Sequence, residues 1–145
     1  MNTIHFLSRL ILFLFFPGFL SQALAQYGDW KHVGSMYLVT DSAGADLPAS
    51  VVLKNFPVLV RLNEDYFNFS EAEPGGKDVR FSSKDKPLDF QIERWDAERG
   101  EADIWVRIPI IRGKDQQAIQ MHWGKEKVSS ESDGEKVFRT AEGFS

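Results

Sequence analysis

Alternation of apolar and polar residues along three consecutive segments is the feature that most constrains the fold of this chain. The segments are residues 88–95, 102–108 and 117–123. Because successive side chains of a β-strand point to opposite faces, each segment predicts a strand with one apolar and one mostly polar face. We find no window of about 11 residues or more with the apolar repeat of an amphipathic helix after the first 25 residues.

Three shorter segments also predict strands, and turn-forming residues separate them. These segments are residues 36–40, 56–62 and 79–82, with a turn of helix allowed around residues 64–69. Stretches rich in Gly, Pro and Asp lie between them, most clearly at residues 71–77. Many short strands with such turns predict an all-β fold, an antiparallel β-sandwich of jelly-roll-like form.

The first 25 residues predict a cleaved secretory signal peptide. Arg9 precedes the apolar run of residues 10–16, Pro17 follows it, and the segment ends in Ala23-Leu24-Ala25. The apolar run is shorter than the roughly 20 residues that a membrane-spanning helix needs. We therefore expect an exported protein, periplasmic, at the cell surface or secreted, that begins at Gln26 and keeps no membrane span.

The rest of the chain predicts one β-sandwich domain over residues 26–127. We expect residues 128–145 to be a linker or the start of a missing downstream domain. Removing residues 1–25 takes away Arg9 and no acidic residue, so the 17 basic side chains become 16 against 21 acidic ones. The net charge then moves from −4 to −5, which argues against a nucleic-acid partner.

The residue types present exclude several kinds of chemistry. With 0 cysteines, the chain has no thiol nucleophile, thiolate zinc site or iron–sulfur cluster. A metal site built from His32 and His122 would need a long-range coincidence, so we predict no metal and no cofactor. Calcium ligation by aspartates near the Gly75-Gly76 loop is a weak alternative; they are Asp78, Asp85 and Asp89.

Pairing of the three alternating strands within one sheet would bring polar-face residues into rows. In the hairpin register that we expect, Ile92 lies opposite Val106. If the third strand also pairs with the second, one outer row holds Glu93, Trp105 and His122. A second row then holds Gln91, Arg107 and Gln120. The alternative is that the third strand crosses to the opposite sheet, which would separate Trp105 from His122.

Trp105 is the most interesting single residue, because alternation places its ring on a polar face. An aromatic ring among hydrogen-bonding groups can stack on a sugar or on another ring. The alternative is that a loop or a second domain covers it. We take Trp105, Glu93, Arg107 and His122 as candidate ligand-binding residues.

No arrangement of residues predicts catalysis. Glu93 and Asp103 are a weak candidate for a glycosidase pair, since arginines are interspersed and a solvated mixed-charge face explains the pattern equally well. A serine nucleophile has no G-x-S-x-G motif to mark it. We therefore predict no catalytic residues and a protein that is not an enzyme.

Several motifs together resemble a known family, the bacterial domain of unknown function 2341. In order they are residues 29–32, 56–62, 76–81, 91–96, 104–109, 121–124 and 132–138. The resemblance implies an exported, noncatalytic-looking β-domain, often followed by a concanavalin A-like (laminin G-like) domain. In some proteins it also implies a fused proton channel of the MotA/TolQ/ExbB type.

These expectations combine into one leading hypothesis, a noncatalytic extracytoplasmic recognition module. It would bind a glycan or surface polymer, or dock a lectin-like partner domain. The alternative is a structural or sensory periplasmic domain of a transport assembly linked to a proton channel. A glycan-active enzyme is a third, weaker alternative.

Overall fold

The computed structural model describes residues 26–139, which fold into seven strands, two short 3-10 turns and one short helix. The 3-10 turns are Phe69–Glu71 and Pro74–Gly76. The strands are β1 (His32–Val39), β2 (Val52–Asn63), β3 (Arg80–Ser83), β4 (Lys86–Leu88), β5 (Phe90–Asp96), β6 (Glu101–Arg112) and β7 (Gln116–Trp123). The helix, α1, is Gly134–Phe138. The predicted signal peptide lies outside the described residues, and none of the described helices is long and apolar enough to cross a membrane.

The strands form two antiparallel sheets, which confirms the predicted β-sandwich. A four-stranded sheet has the order β1-β7-β3-β4, and a three-stranded sheet has the order β2-β6-β5. Side chains at alternate positions of each sheet are buried between them, including Ile104, Val106 and Ile108 of β6 and Ile119 and Met121 of β7. Alternation therefore identified the core side of these strands correctly.

The conditional pairing of β6 with β7 is wrong, and the alternative is found: the third alternating strand crosses to the opposite sheet. β6 is the central strand of its sheet, so β2 and β5 already occupy both of its edges. The chain turns after Arg112, where the Thr40 hydroxyl donates to the carbonyl oxygen of Arg112 (2.6 Å) and accepts from the N–H of Asp115 (3.0 Å). The apolar faces of β6 and β7 then cover each other across the sandwich instead of continuing side by side.

The hairpin of β5 and β6 forms as predicted, but its register differs by two residues. The strand predicted over residues 88–95 is also divided, because Leu88 ends β4 in the other sheet and β5 begins at Phe90. Ile92 lies opposite Ile104, not Val106. The turn closes Asp96 on Glu101 with a left-handed Gly100 (φ +64°), and a bulge at Glu93 adds one residue to β5. This even shift keeps Phe90, Gln91 and Ile92 on the faces that alternation predicted. Beyond the bulge the alternation is reversed, so Arg94 points outward beside Asp103 and Trp95 packs against the core.

An aromatic cluster fills one end of the sandwich. Phe67 packs edge-on against Phe69 at 4.9 Å between ring centroids, and Trp95 and Trp123 complete the cluster around them. These side chains come from the loop after β2 and from the ends of β5 and β7. The cluster therefore holds the β2–β3 loop against both sheets.

Asp78 is fully buried and ties the loop before β3 to the turn after β7. Its Oδ1 accepts from the backbone N–H of Glu73 (2.8 Å), and its Oδ2 accepts from Gly124 (2.5 Å) and Lys125 (3.1 Å). Its carbonyl oxygen accepts from the indole N–H of Trp30 (2.6 Å). A buried carboxylate needs such partners because burial removes it from water.

The segment from Ser129 to Arg139 packs against the edge where the chain passes from β4 to β5. The Ser132 hydroxyl accepts from the N–H of Ile92 (2.8 Å), and the N–H of Asp133 donates to the carbonyl oxygen of Phe90 (2.8 Å). These bonds cap the free edge of β5, which protects it from pairing with other strands. We expected residues 128–145 to be a linker or the start of another domain. The described residues of this segment form hydrogen bonds with the sandwich.

Replacing Asp78 with asparagine tests the role of its carboxylate at nearly constant volume. The new side-chain amide would point an NH₂ donor at backbone N–H donors, so Asp78→Asn should lower the free energy of unfolding by about 3 kcal/mol. Urea denaturation measures this change. Asp65→Asn, at an exposed position, is the control and should change stability by less than about 0.5 kcal/mol. Equal stabilities of the two variants would contradict the role of Asp78.

Candidate functional site

Trp105 lies on the outer face of the three-stranded sheet and is half-buried. Its position on β6 alternates with the buried Ile104 and Val106, so its ring points away from the core. The indole N–H donates to Oε2 of Glu93 at 2.5 Å. This hydrogen bond fixes the orientation of the ring, and one of the predicted pairings, Glu93 with Trp105, is thereby found.

The β-bulge explains how Glu93 reaches Trp105. The residue directly opposite Trp105 in the ladder is Gln91, and Glu93 is the extra residue between Ile92 and Arg94. A bulge bends its strand and redirects the side chain of the unpaired residue. The sequence pattern predicted the contact, although the register that produces it is different.

Helix α1 covers one side of Trp105. The ring of Phe138 packs edge-on against Trp105 at 5.6 Å between centroids and is 48% exposed. Val137 beside it is fully buried. At the start of the helix, the Asp133 side chain caps it by accepting from the N–H of Lys136 (3.2 Å), and this hydrogen bond lowers the pKa of Asp133.

Arg107 holds α1 and also lines a depression of about 340 Å³ together with Asp89, Pro109 and Arg139. Its Nη1 donates to the carbonyl oxygens of Val137 (2.7 Å) and Arg139 (2.9 Å). A cation near the last carbonyls of a helix satisfies groups that the helix leaves unpaired. Arg107 therefore lies on the same face as Trp105 but acts as a positioning residue for α1.

Four charged side chains form a depression next to Trp105 on the same face. Asp103 accepts from Nε of Arg94 (3.0 Å) and lies 3.5 Å from Nε of Arg61, and Nη1 of Arg94 lies 2.9 Å from Glu101. The depression has a volume of about 310 Å³. Its two arginines and two carboxylates balance in charge, and the hydrogen bond to Asp103 raises the pKa of Arg94.

His122 lies on the outer face of the four-stranded sheet, so the predicted row of Glu93, Trp105 and His122 is wrong. Its Nε2 is 2.8 Å from the Ser82 hydroxyl, and its ring packs against Tyr27 at 4.7 Å. Burial lowers the pKa of His122, with the negative charge of Asp85 acting in the opposite direction. The binding role that we predict for His122 is untested, but it cannot share a face with Trp105.

The pairing of Ser82 with His122 has the residue types of a nucleophile and its base. Ser82 is only 2% exposed, and no carboxylate among residues 26–139 hydrogen-bonds to the other ring nitrogen of His122. A nucleophile must be reachable, and its base is normally oriented by a third group. The geometry is that of a structural hydrogen bond that holds β3 to β7.

Residues next to Ser82 and His122 are covered by both ends of the described chain. Arg80 is 3% exposed; it donates to the carbonyl oxygen of Ser129 (2.8 Å), and its guanidinium lies 5.6 Å from the Trp30 ring. Burial also raises the pKa of Tyr27, with Glu131 adding to the effect and Arg80 opposing it. This part of the four-stranded sheet is thus largely closed to a ligand.

The carboxylates of Glu93, Asp103 and Asp78, considered above for glycosidase or calcium chemistry, have other partners in the structure. Glu93 is held by Trp105 and Asp103 by Arg94, so these two carboxylates each have a different partner. Both oxygens of Asp78 accept from backbone N–H groups. Within residues 26–139, no group of three His, Asp or Glu side chains is arranged to hold a metal ion.

Sequence reasoning missed Phe138 and the role of Arg61. Phe138 belongs to a five-residue helix, which is too short to show helical periodicity. Arg61 alternates with the apolar residues of β2, so its outward direction was available from the sequence. The sequence did not indicate that Asp103 is the partner of Arg61, because β2 and β6 are distant in the chain.

Comparison with known proteins agrees with the family that the ordered motifs resemble. Residues 75–145 match the family model described as Domain of unknown function (DUF2341). The match includes Asp78, β3 to β7 and α1, and it supports assignment of this part of the chain to that domain family. No curated protein and no solved structure matches the chain.

Arg107→Gln tests whether Arg107 positions α1. Loss of the charged donor should speed hydrogen exchange of the backbone amides in residues 133–139 by about tenfold or more, because two charge-assisted hydrogen bonds disappear. Hydrogen-exchange mass spectrometry measures the rates. Arg99→Gln, at an exposed turn position, is the matched control. Unchanged exchange in Arg107→Gln would show that α1 does not depend on this side chain.

The buried setting of His122 predicts a pH dependence of stability. Because its pKa is lowered in the folded state, the unfolded chain takes up the proton first as pH falls. The stability that neutral His122 contributes to the folded state is complete above its ordinary pKa of about 6.5 and is lost as pH falls below that value. We expect an NMR titration of the His122 ring with a midpoint below 6.5, and a smaller loss of stability at low pH in His122→Gln. A midpoint above 6.5 would contradict this.

Proposed function

We propose that this protein is an exported, noncatalytic recognition domain that binds a neutral glycan through the Trp105 face. The Trp105 face is the outer side of the three-stranded sheet formed by Trp105, Phe138, Glu93 and the depression around Asp103. The observation that carries the proposal is a half-buried tryptophan of fixed orientation beside a charge-balanced depression.

The aromatic part of the face supports stacking on a sugar ring. Glu93 holds the Trp105 indole and Phe138 packs against its side, so the ring is already ordered before a ligand arrives. An ordered aromatic ring loses little conformational freedom on binding, which favours affinity. Phe138 adds a second, more exposed aromatic surface next to it.

The charged part of the face favours a neutral ligand over an ionic one. Arg61 and Arg94 offset Asp103 and Glu101, so the depression exerts little net attraction on an anion or a cation. Guanidinium groups have five N–H donors and carboxylates have several lone pairs, so each keeps free hydrogen-bonding capacity. Sugar hydroxyls both donate and accept, and they match such a mixture.

A glycan array probed with the purified protein and its variants tests this proposal. We expect binding to neutral glycans that falls by about tenfold or more in Trp105→Ala, because the stacking surface is lost. Asp85→Asn is the control, since Asp85 is exposed in the turn between β3 and β4, and asparagine tolerates its left-handed backbone (φ 61°). This variant should bind like the unaltered protein.

Three results would contradict the proposal. They are no binding to any glycan on the array, equal binding by Trp105→Ala and the control, and hydrolysis of a bound glycan. If the face instead docks a protein domain, folded Trp105→Ala will bind glycans no differently but will lose association with that domain.

A further inference from the structure

We propose that two copies of this chain associate through the free edge of β1, antiparallel, with Ser35 on the two-fold axis. This inference does not rest on the proposed glycan site, which lies on the other sheet. It rests on the difference between β1 and the other three sheet edges, and on the symmetry of β1 itself.

Three of the four sheet edges carry features that oppose pairing with another strand. β4 has three residues, among them Lys86 and Pro87. β5 is covered at Ile92 by the Ser132 hydroxyl and at Phe90 by the backbone N–H of Asp133, and the bulge at Glu93 interrupts its remaining length. Short strands, prolines, charges and covering segments are the usual protection of sheet edges.

The edge of β2 is protected along its own length. It contains Lys54, Pro57 and Arg61, and Asn55 interrupts it with a left-handed backbone (φ 50°). A proline has no N–H to donate, and a left-handed residue breaks the straight ladder that a new strand needs.

β1 has none of these protections over residues 33–38. This stretch contains no charged residue and no proline. In the part of the chain that the structure describes, its backbone makes hydrogen bonds to β7 alone. Val33 and Tyr37 on its outer face are 59% and 65% exposed. An uncharged, regular edge with exposed apolar residues favours strand addition.

The hydrogen-bond pattern indicates which residues of β1 point to the free side. The N–H of Thr40 donates to Asp115 on the β7 side, and the carbonyl oxygen of Val39 accepts from Ala45 on the other side. Because these directions alternate along a strand, Val33, Ser35 and Tyr37 point their backbone N–H and C=O groups outwards.

These three residues are self-complementary about Ser35. An antiparallel copy centred there places Val33 opposite Tyr37 of the second copy and Ser35 opposite its own equivalent. About six backbone hydrogen bonds then form, and each Val–Tyr pair joins an aliphatic and an aromatic side chain across the strands. The result is one continuous eight-stranded sheet made from two four-stranded sheets.

Sedimentation analysis of the purified protein over about 1 μM to 1 mM tests the association. We expect the mass to double with concentration. Ser35→Lys should remain a monomer, because two like charges would face each other on the axis. Ala118→Lys is the matched control: Ala118 is exposed on the same sheet face but on β7, one strand in from the edge. It should dimerise normally.

A mixture of Ser35→Lys and Ser35→Asp should restore the dimer as a heterodimer, since opposite charges then meet. In the otherwise cysteine-free chain, Ser35→Cys should form a disulfide-linked dimer on oxidation, because facing Cα atoms lie about 5.5 Å apart. Tyr37→Cys should not link to itself in this register. A monomer at every concentration, or loss of the dimer in Ala118→Lys, would overturn the proposal.

Discussion

The buried carboxylate of Asp78 is the interaction on which the four-stranded sheet depends. Through three backbone N–H groups it joins the loop before β3 to the turn after β7, and its carbonyl oxygen holds Trp30. The loop reaches it through Gly76, whose left-handed backbone (φ +68°) lies against Trp95 with no room for a Cβ. Asp78 and Gly124 also belong to two of the motifs that carry the family resemblance. The hydrogen bond between them joins the loop before β3 to the turn after β7.

The outer faces of the two sheets differ in how far other segments cover them. On the four-stranded sheet, Arg80 and Ser82 point outwards but are buried under the segments that precede β1 and follow β7. On the three-stranded sheet, α1 covers only one side of Trp105, and the charged depression stays open. The Trp105 face therefore combines an ordered aromatic ring with an open depression, and the outer side of β1 keeps Val33 and Tyr37 exposed.

Much of the fold could be predicted from the sequence because alternation is a local signal. Alternation identified the buried side of β6, of β7 and of β5 as far as Ile92, and the Glu93–Trp105 contact was found. The division of residues 88–95 between two sheets and the bulge at Glu93 leave no mark on a local pattern. The position of His122 was wrong because alternation does not identify which strands pair; that choice depends on covering two apolar faces at once. Phe138 was missed because its helix is held by Arg107 and Asp133 rather than by its own periodicity.

Glycan recognition on the Trp105 face is the central claim, and the indole N–H signals of the 4 tryptophans test it most directly. Trp105 reports on that face, Trp30 on the four-stranded sheet, and Trp95 and Trp123 on the aromatic cluster. NMR titration with the glycan that gives the strongest array signal should shift the Trp105 signal and leave the Trp30 signal in place. A shift of Trp30 with Trp105 unchanged would contradict the account.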